Sequence, residues 1–165
     1  MKQHPFYSID CPNSTGQLLL TPCPGTKDID LKQSLIELNQ AGATAAITLM
    51  LENEIYELAV TELSQICDEL EMQWFHLPIV DEGAPEAVFE KLWQQYQNEI
   101  HAILNDNESI VIHCKGGSGR TGVVAAKILL ERGADFKTTI DTIKSLRPSA
   151  FTHDVQVAYI EQFNV

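Results

Sequence analysis

The chain has 165 residues, with 11 Lys and Arg against 23 Asp and Glu and a formal charge of −12. That length fits one domain able to bury about 70% of its unfolded surface without metal or disulfide staples. The acid excess excludes a general nucleic-acid or anionic-membrane binder, which needs surplus Lys and Arg, and no run approaches the roughly 18 apolar residues of a membrane span.

Residues up to about Gly25 read as irregular, punctuated by Pro5, Pro12, Pro22 and Pro24 around one apolar run, Leu18–Leu20. Asp28 or Asp30 can cap a helix carrying Leu31, Leu35 and Leu38, closed by Gly42. Thr44 to Met50 has the β-branched, apolar make-up of a strand. Glu54 to Glu71 places Ile55, Leu58, Ala59, Leu63, Ile66 and Leu70 at helical spacing. Trp74 to Val80 reads as a strand ending in the loop Asp81-Glu82-Gly83-Ala84-Pro85. Pro85 suits a first helical position, and the stripe from Val88 through Phe89, Trp93 and Tyr96 to Ile103 suits a long core-facing helix.

Ser109 to His113 is apolar enough for the centre of a sheet. A glycine-rich turn follows, then helical patterns over Val123–Leu130, Thr138–Leu146 and His153–Phe163. This alternation predicts an α/β fold with a central, mainly parallel sheet flanked by helices and a helical C-terminal third. Cys11, Cys23, Cys67 and Cys114 show no CxxC pairing, so free thiols are expected rather than a zinc site or disulfides. The start, Met1-Lys2-Gln3-His4-Pro5, lacks a secretory pattern, and a cytoplasmic location is expected.

The specific signal is the turn Cys114-Lys115-Gly116-Gly117-Ser118-Gly119-Arg120-Thr121-Gly122. A strand entering a glycine-rich loop and then a helix is an anion cradle, because successive N–H groups can turn inward at a positive helix end. Gly117 to Gly122 matches GxGxxG, but the chain beyond it is helical where a dinucleotide fold needs a second strand and an acid. A nucleotide P-loop needs Gly at Cys114 and Lys at Arg120, so that reading fails too. A cysteine phosphatase fits every residue. Inward N–H groups and a helix N-terminus lower a thiol's pKa into a range of about 3.5–7.5, where it becomes nucleophilic. The Lys115, Gly116, Gly117, Ser118, Gly119 and Arg120 amides can hold phosphate oxygens, and the planar fork of Arg120 can hold two of them. Thr121 can donate to the sulfur as it leaves.

His113, Cys114, Gly117, Arg120 and Thr121 match HCxxGxxR[ST], and here the chain resembles the protein tyrosine phosphatase superfamily. Leu77-Pro78-Ile79-Val80-Asp81-Glu82-Gly83-Ala84-Pro85 is similar to the acid loop of its cyclin-dependent-kinase-associated, dual-specificity members. The resemblance implies a cysteine-phosphatase fold, with Asp81 as general acid and then base, and with Glu82 next to it as a possible substitute. It also implies that His113 orients the loop and that Gln156, after Arg147-Pro148, places the hydrolytic water. The implied activity is hydrolysis of phosphotyrosine, and of phosphoserine or phosphothreonine, through a phosphocysteine. No cofactor or metal is expected, and a monomeric single phosphatase domain over 1–165 acts on a phosphorylated protein or peptide. Alternatives are a phosphoinositide phosphatase, disfavoured by Ser118 where lipid phosphatases carry a base, and an inactive phospho-residue binding module.

Overall fold

The computed structural model describes residues 2–165. Five strands, β1 (Tyr7–Asp10), β2 (Gln17–Thr21), β3 (Ala43–Thr48), β4 (Gln73–His76) and β5 (Ser109–His113), form one sheet in the order β1-β2-β5-β3-β4. β1 pairs antiparallel with β2, and every other pairing is parallel. The expected α/β class with a mainly parallel sheet is what the chain forms.

The central strands show why. β5 is buried at all five positions, and its residues divide between two cores. Ile110 and Ile112 face one core together with Leu18, Leu20, Ala45 and Ile47. Val111 faces the other, with Leu19 and Ala46. The first core is covered by α4 (Ala87–Asn105), α5 (Gly119–Glu131), α6 (Phe136–Leu146) and α7 (Asp154–Glu161). The second is covered by α1 (Leu31–Gln40) and α3 (Leu63–Glu69). A strand buried on both faces reads as a continuous apolar run, as Ser109–His113 does.

Four sequence expectations need correction. The first 25 residues hold two strands; β1 was hidden because only Ile9 of its four residues is buried, as suits an edge. The single helix expected over Glu54–Glu71 is two, α2 (Glu52–Glu57) and α3, because Ala59 turns left-handed at φ 59° and Val60 drops into the core. The regular strand after Trp74 stops at His76, since Pro78 has no N–H to give. Pairing nevertheless continues irregularly through Leu77 N–H to Thr48 O at 2.9 Å and Ile79 N–H to Leu49 O at 2.9 Å. Helix α4 starts at Ala87 behind Glu86, so Pro85 lies outside it, and Val88 is exposed rather than part of the apolar stripe.

The parallel strands all end at one edge, where an α/β sheet presents its ligand crevice. Thr48, the stretch after His76, and His113-Cys114 therefore converge there.

Left-handed backbone costs about 1–2 kcal/mol for a residue with a Cβ, offset in part by the extra unfolded-state freedom of glycine. Ala59→Gly is therefore expected to stabilise the fold by about 0.5–1 kcal/mol. A urea midpoint equal to or below wild type would contradict this account of the break between α2 and α3.

Candidate active site

Cys114 is the first residue after β5, 3% exposed at the floor of a cavity of about 370 Å³. Its Sγ accepts the Thr121 hydroxyl at 3.1 Å and the Gly117 N–H at 3.3 Å. The loop above it is turned inside out relative to ordinary chain. Four successive carbonyls are held away from the sulfur: Lys115 O by Cys23 N–H at 3.0 Å, Gly116 O and Gly117 O by Arg147 at 2.7 and 3.1 Å, and Ser118 O, in the first helical bond of α5, by Gly122 N–H at 2.8 Å. Because a trans peptide points its N–H opposite to its carbonyl, the loop's N–H groups turn toward the sulfur side. Gly117 makes this possible, with φ at +78° and with the place of a Cβ only 2.5 Å from Pro22 N.

Arg120, 2% exposed, lies in the first turn of α5 and meets α2 and the loop after β4. Its Nη1 donates to Glu54 Oε2 at 2.8 Å and Ile79 O at 3.0 Å, and its Nη2 donates to Glu54 Oε1 at 2.8 Å. Asp81 Oδ1 lies 3.2 Å from Nη2. Burial works against the guanidinium charge, but the Glu54 hydrogen bonds, with the charges of Cys114, Glu54 and Asp81, outweigh it and hold its pKa above the usual value. Burial likewise works against the Glu54 carboxylate, and Arg120 together with the Leu51 N–H holds it below the usual range. Glu54 was not among the candidates read from the sequence. Its signal was there: it stands three residues after Leu51, whose N–H it caps at 2.9 Å, but a glutamate in a helix's first turn is common.

Asp81 is well exposed, and its Oδ1 also accepts the Glu82 N–H at 3.0 Å. Glu82 lines the same cavity in left-handed backbone, φ 62°. Gln156, fully buried, donates from Nε2 to Gly83 O at 3.0 Å, tying α7 to the acid loop. Its Oε1 is buried without a partner, and the residue lines the cavity. His153, read from sequence as an ordinary residue, lines the cavity too. Lys115 instead lines an adjoining cavity of about 300 Å³ with Glu54 and Asp81. Among the described residues no group of His, Cys, Asp and Glu is arranged to hold a metal ion. Burial pushes the thiol of Cys11 up to about 11 and those of Cys23 and Cys67 to about 12, so all three stay protonated.

His113 is fully buried at the end of β5. Trp74 Nε1–H donates to Thr48 Oγ1 at 2.8 Å, and Thr48 Oγ1 lies 2.6 Å from His113 Nε2. The donor inventory then assigns the chain Trp74 to Thr48 to His113 Nε2, leaving Nδ1–H to donate to Cys114 O at 3.3 Å. Burial, the largest cause, lowers the imidazole to about 4 from 6.5, with the charges of His4, Arg120 and His76 adding to it. His113 thus orients the loop as a neutral ring.

A depressed histidine pKa means the folded state binds fewer protons than the unfolded one. The resulting stability is complete above about pH 6.5 and is lost as pH falls toward about 4. His113→Asn should therefore flatten the decline of unfolding free energy across that window, where wild type loses on the order of 3 kcal/mol through this group. Parallel urea series for the two proteins test it, and identical slopes would contradict it. Glu54→Gln, which weakens the fork holding Arg120, is expected to lower kcat/KM for a small phosphate ester by about tenfold or more; an unchanged value would remove Glu54 from the site.

With the site built, three comparisons place it. A family model described as "Tc-R-P: Polymorphic toxin system, DSP-PTPase phosphatase" matches residues 25–134. The chain is similar to cyclin-dependent kinase inhibitor 3 of Rattus norvegicus, 26% identical over 166 residues that span 96% of this chain and 76% of the relative. It is similar as well to phosphatidylglycerophosphate phosphatase PTPMT2 of Arabidopsis thaliana, 29% identical over 89% of this chain and 59% of that protein. The crystal structure of kinase associated phosphatase, with its catalytic-site cysteine replaced by serine, superposes with a TM-score of 0.82 at 25% identity, covering 99% of this chain and 96% of that one. The sheet, the cysteine loop and these likenesses agree: the chain belongs to the DSP-PTPase phosphatases of the protein tyrosine phosphatase superfamily and is a dual-specificity-type protein phosphatase.

Proposed function

We propose that the chain, as a single phosphatase domain over 1–165, hydrolyses phosphotyrosine, phosphoserine and phosphothreonine on proteins through a phosphocysteine. The observation that carries this is the Cys114 sulfur, which accepts Thr121 Oγ1–H and Gly117 N–H at 3.1 and 3.3 Å on the floor of the cavity where Arg120 and Asp81 meet. The Cys114 thiolate attacks phosphorus in line. Amides from Lys115 to Arg120 hold the equatorial oxygens, and Arg120 Nη2 passes from Asp81 to one of them, so the carboxyl is released as the dianion arrives. Freed from Arg120, Asp81 takes up a proton from solvent and gives it to the leaving oxygen. Thr121 steadies the sulfur as the phosphocysteine breaks down. In that second step Asp81 accepts a proton from water, which Gln156, a cavity-lining residue whose Oε1 has no other partner, can hold. The positive charge on the phosphoryl group comes from Arg120 and the loop dipoles, so no cofactor is required by the scheme.

The likeness to a kinase associated phosphatase supports a phosphorylated protein as substrate; a monomer acting in the cytoplasm is part of the same proposal. A phospholipid phosphate monoester, such as a phosphoinositide, is the second reading, and the likeness to the Arabidopsis phosphatidylglycerophosphate phosphatase supports that lipid class. Against it stand Ser118 in the loop and the −12 charge.

The test is phosphate release from an aryl phosphate in EDTA. Wild type should turn over with a bell-shaped pH profile, Cys114→Ser should abolish turnover, and Asp81→Asn should lower kcat by about 100-fold and remove the alkaline limb. Phosphopeptides should then be cleaved at least tenfold better, by kcat/KM, than phosphoinositides in mixed micelles. Absent turnover by folded, reduced wild type would leave the binding-module reading in place.

A further inference from the structure

The loop that carries Cys114 has four outward carbonyls, and two are held by main-chain N–H groups that any residue could supply. The middle two are held by one side chain. Arg147 Nη2 donates to Gly116 O at 2.7 Å and Arg147 Nε to Gly117 O at 3.1 Å. Its guanidinium carbon lies 4.7 Å from the centre of the Tyr7 ring, which fixes the plane of the fork. Arg147 is also the residue at which α6 ends, with its N–H donating to Ile143 O at 2.7 Å, so the stem is anchored in the helix.

The chemistry follows from which atoms share a peptide unit. The carbonyl of Gly116 and the N–H of Gly117 belong to one unit; Arg147 holds the oxygen end, and the hydrogen end points at Cys114 Sγ, 3.3 Å away. The next unit pairs Gly117 O, also held by Arg147, with the N–H of Ser118, a residue of the cavity lining. A cation on the oxygen of an amide draws density from its nitrogen and strengthens the N–H as a donor, and hydrogen bonds in a chain reinforce one another this way. The same contacts lock the left-handed turn at Gly117, φ +78°, in which the N–H groups face inward.

We propose that Arg147 is a positioning residue for the phosphatase reaction: without touching the substrate, it sets the anion affinity of the Cys114 loop by clamping and polarising the Gly116–Gly117 and Gly117–Ser118 peptide units. The proposal rests on reading that loop as the phosphate site. Lysine gathers its donors on one nitrogen, without the rigid fork that spans two carbonyls or the flat face that Tyr7 packs against, so it replaces arginine only in part.

The test is titration calorimetry with tungstate, a tetrahedral oxyanion, in a Cys114→Ser background, where neither turnover nor thiolate chemistry intervenes. Adding Arg147→Met should raise the tungstate Kd by about tenfold or more, and Arg147→Lys should raise it by several-fold. Tyr7→Leu, which keeps both hydrogen bonds but frees the fork, should raise it about twofold to threefold. In the Cys114 protein the same substitutions should raise KM for an aryl phosphate in the same order. Thermal unfolding of each variant separates loss of fold from loss of affinity. If Arg147→Met does not fold, the lysine and Tyr7 variants carry the test. Folded variants that bind tungstate as tightly as their parent would overturn the role of Arg147 while leaving the phosphatase reading intact. A folded parent that binds no tungstate would overturn both.

Discussion

The rest of the site depends on a guanidinium that is 2% exposed and cannot lose its proton. Burying one cation without partners would cost several kcal/mol, so Arg120 has to be surrounded by acceptors before any substrate arrives. Glu54 supplies two oxygens at 2.8 Å, Ile79 a carbonyl at 3.0 Å and Asp81 a carboxylate at 3.2 Å. Those acceptors come from α2 and from the loop after β4, so satisfying one charge draws two separate segments to the end of β5. The geometry that an anion needs is thus in place as a consequence of solvating the arginine with protein.

This arrangement also divides the labour between the two carboxylates. Glu54, half sheltered and doubly bonded to the fork, is held ionised and cannot serve as an acid. Asp81 has one contact to Arg120, a well-exposed side chain and a loop tied to α7 through Gly83 and Gln156. It is the less tightly held of the two carboxylates. Two acids near one base are given different work by burial and by the number of bonds each makes, which is how environment assigns acid and base roles generally.

Much of this was readable in the sequence, and the parts that were not share a cause. The run from Ser109 through Thr121 announces strand, loop and helix because each segment is local: an apolar strand, glycines that allow inward N–H groups, and a helix directly after. Asp81 was legible because Gly83 and Pro85 mark a loop after an apolar run. Glu54 was not, since a glutamate inside a helical pattern means nothing until the chain breaks at Ala59 and aims α2 at the strand ends. No glycine marks that break, so the left-handed turn leaves no trace in composition. Arg147 was noticed only as half of an Arg-Pro pair; its contacts to Gly116 and Gly117 span 31 and 30 positions and depend on where α6 stops. The irregular reading of the first 25 residues failed for a similar reason, because β2 is identified by pairing with β5 some 90 residues later.

The overall charge gives the cationic loop its character. An acidic chain at −12 repels a phosphate dianion at long range, yet at physiological salt that repulsion fades over about 8 Å. Inside that distance the contacts are Arg120, the α5 N-terminus and amides whose carbonyl ends are capped from outside. These act with little solvent between them and the anion, where charge–dipole contacts are strongest. Phosphate recognition in this molecule is therefore short-range and geometric, earned at contact rather than by attraction from solution. Anions that bring further negative charge to the rim, as a multiply phosphorylated headgroup does, meet Glu82 and Asp81 there, with Lys115 in the adjoining cavity to offset them only in part. A phosphoryl group that brings a single dianion suits an acidic rim around a cationic floor.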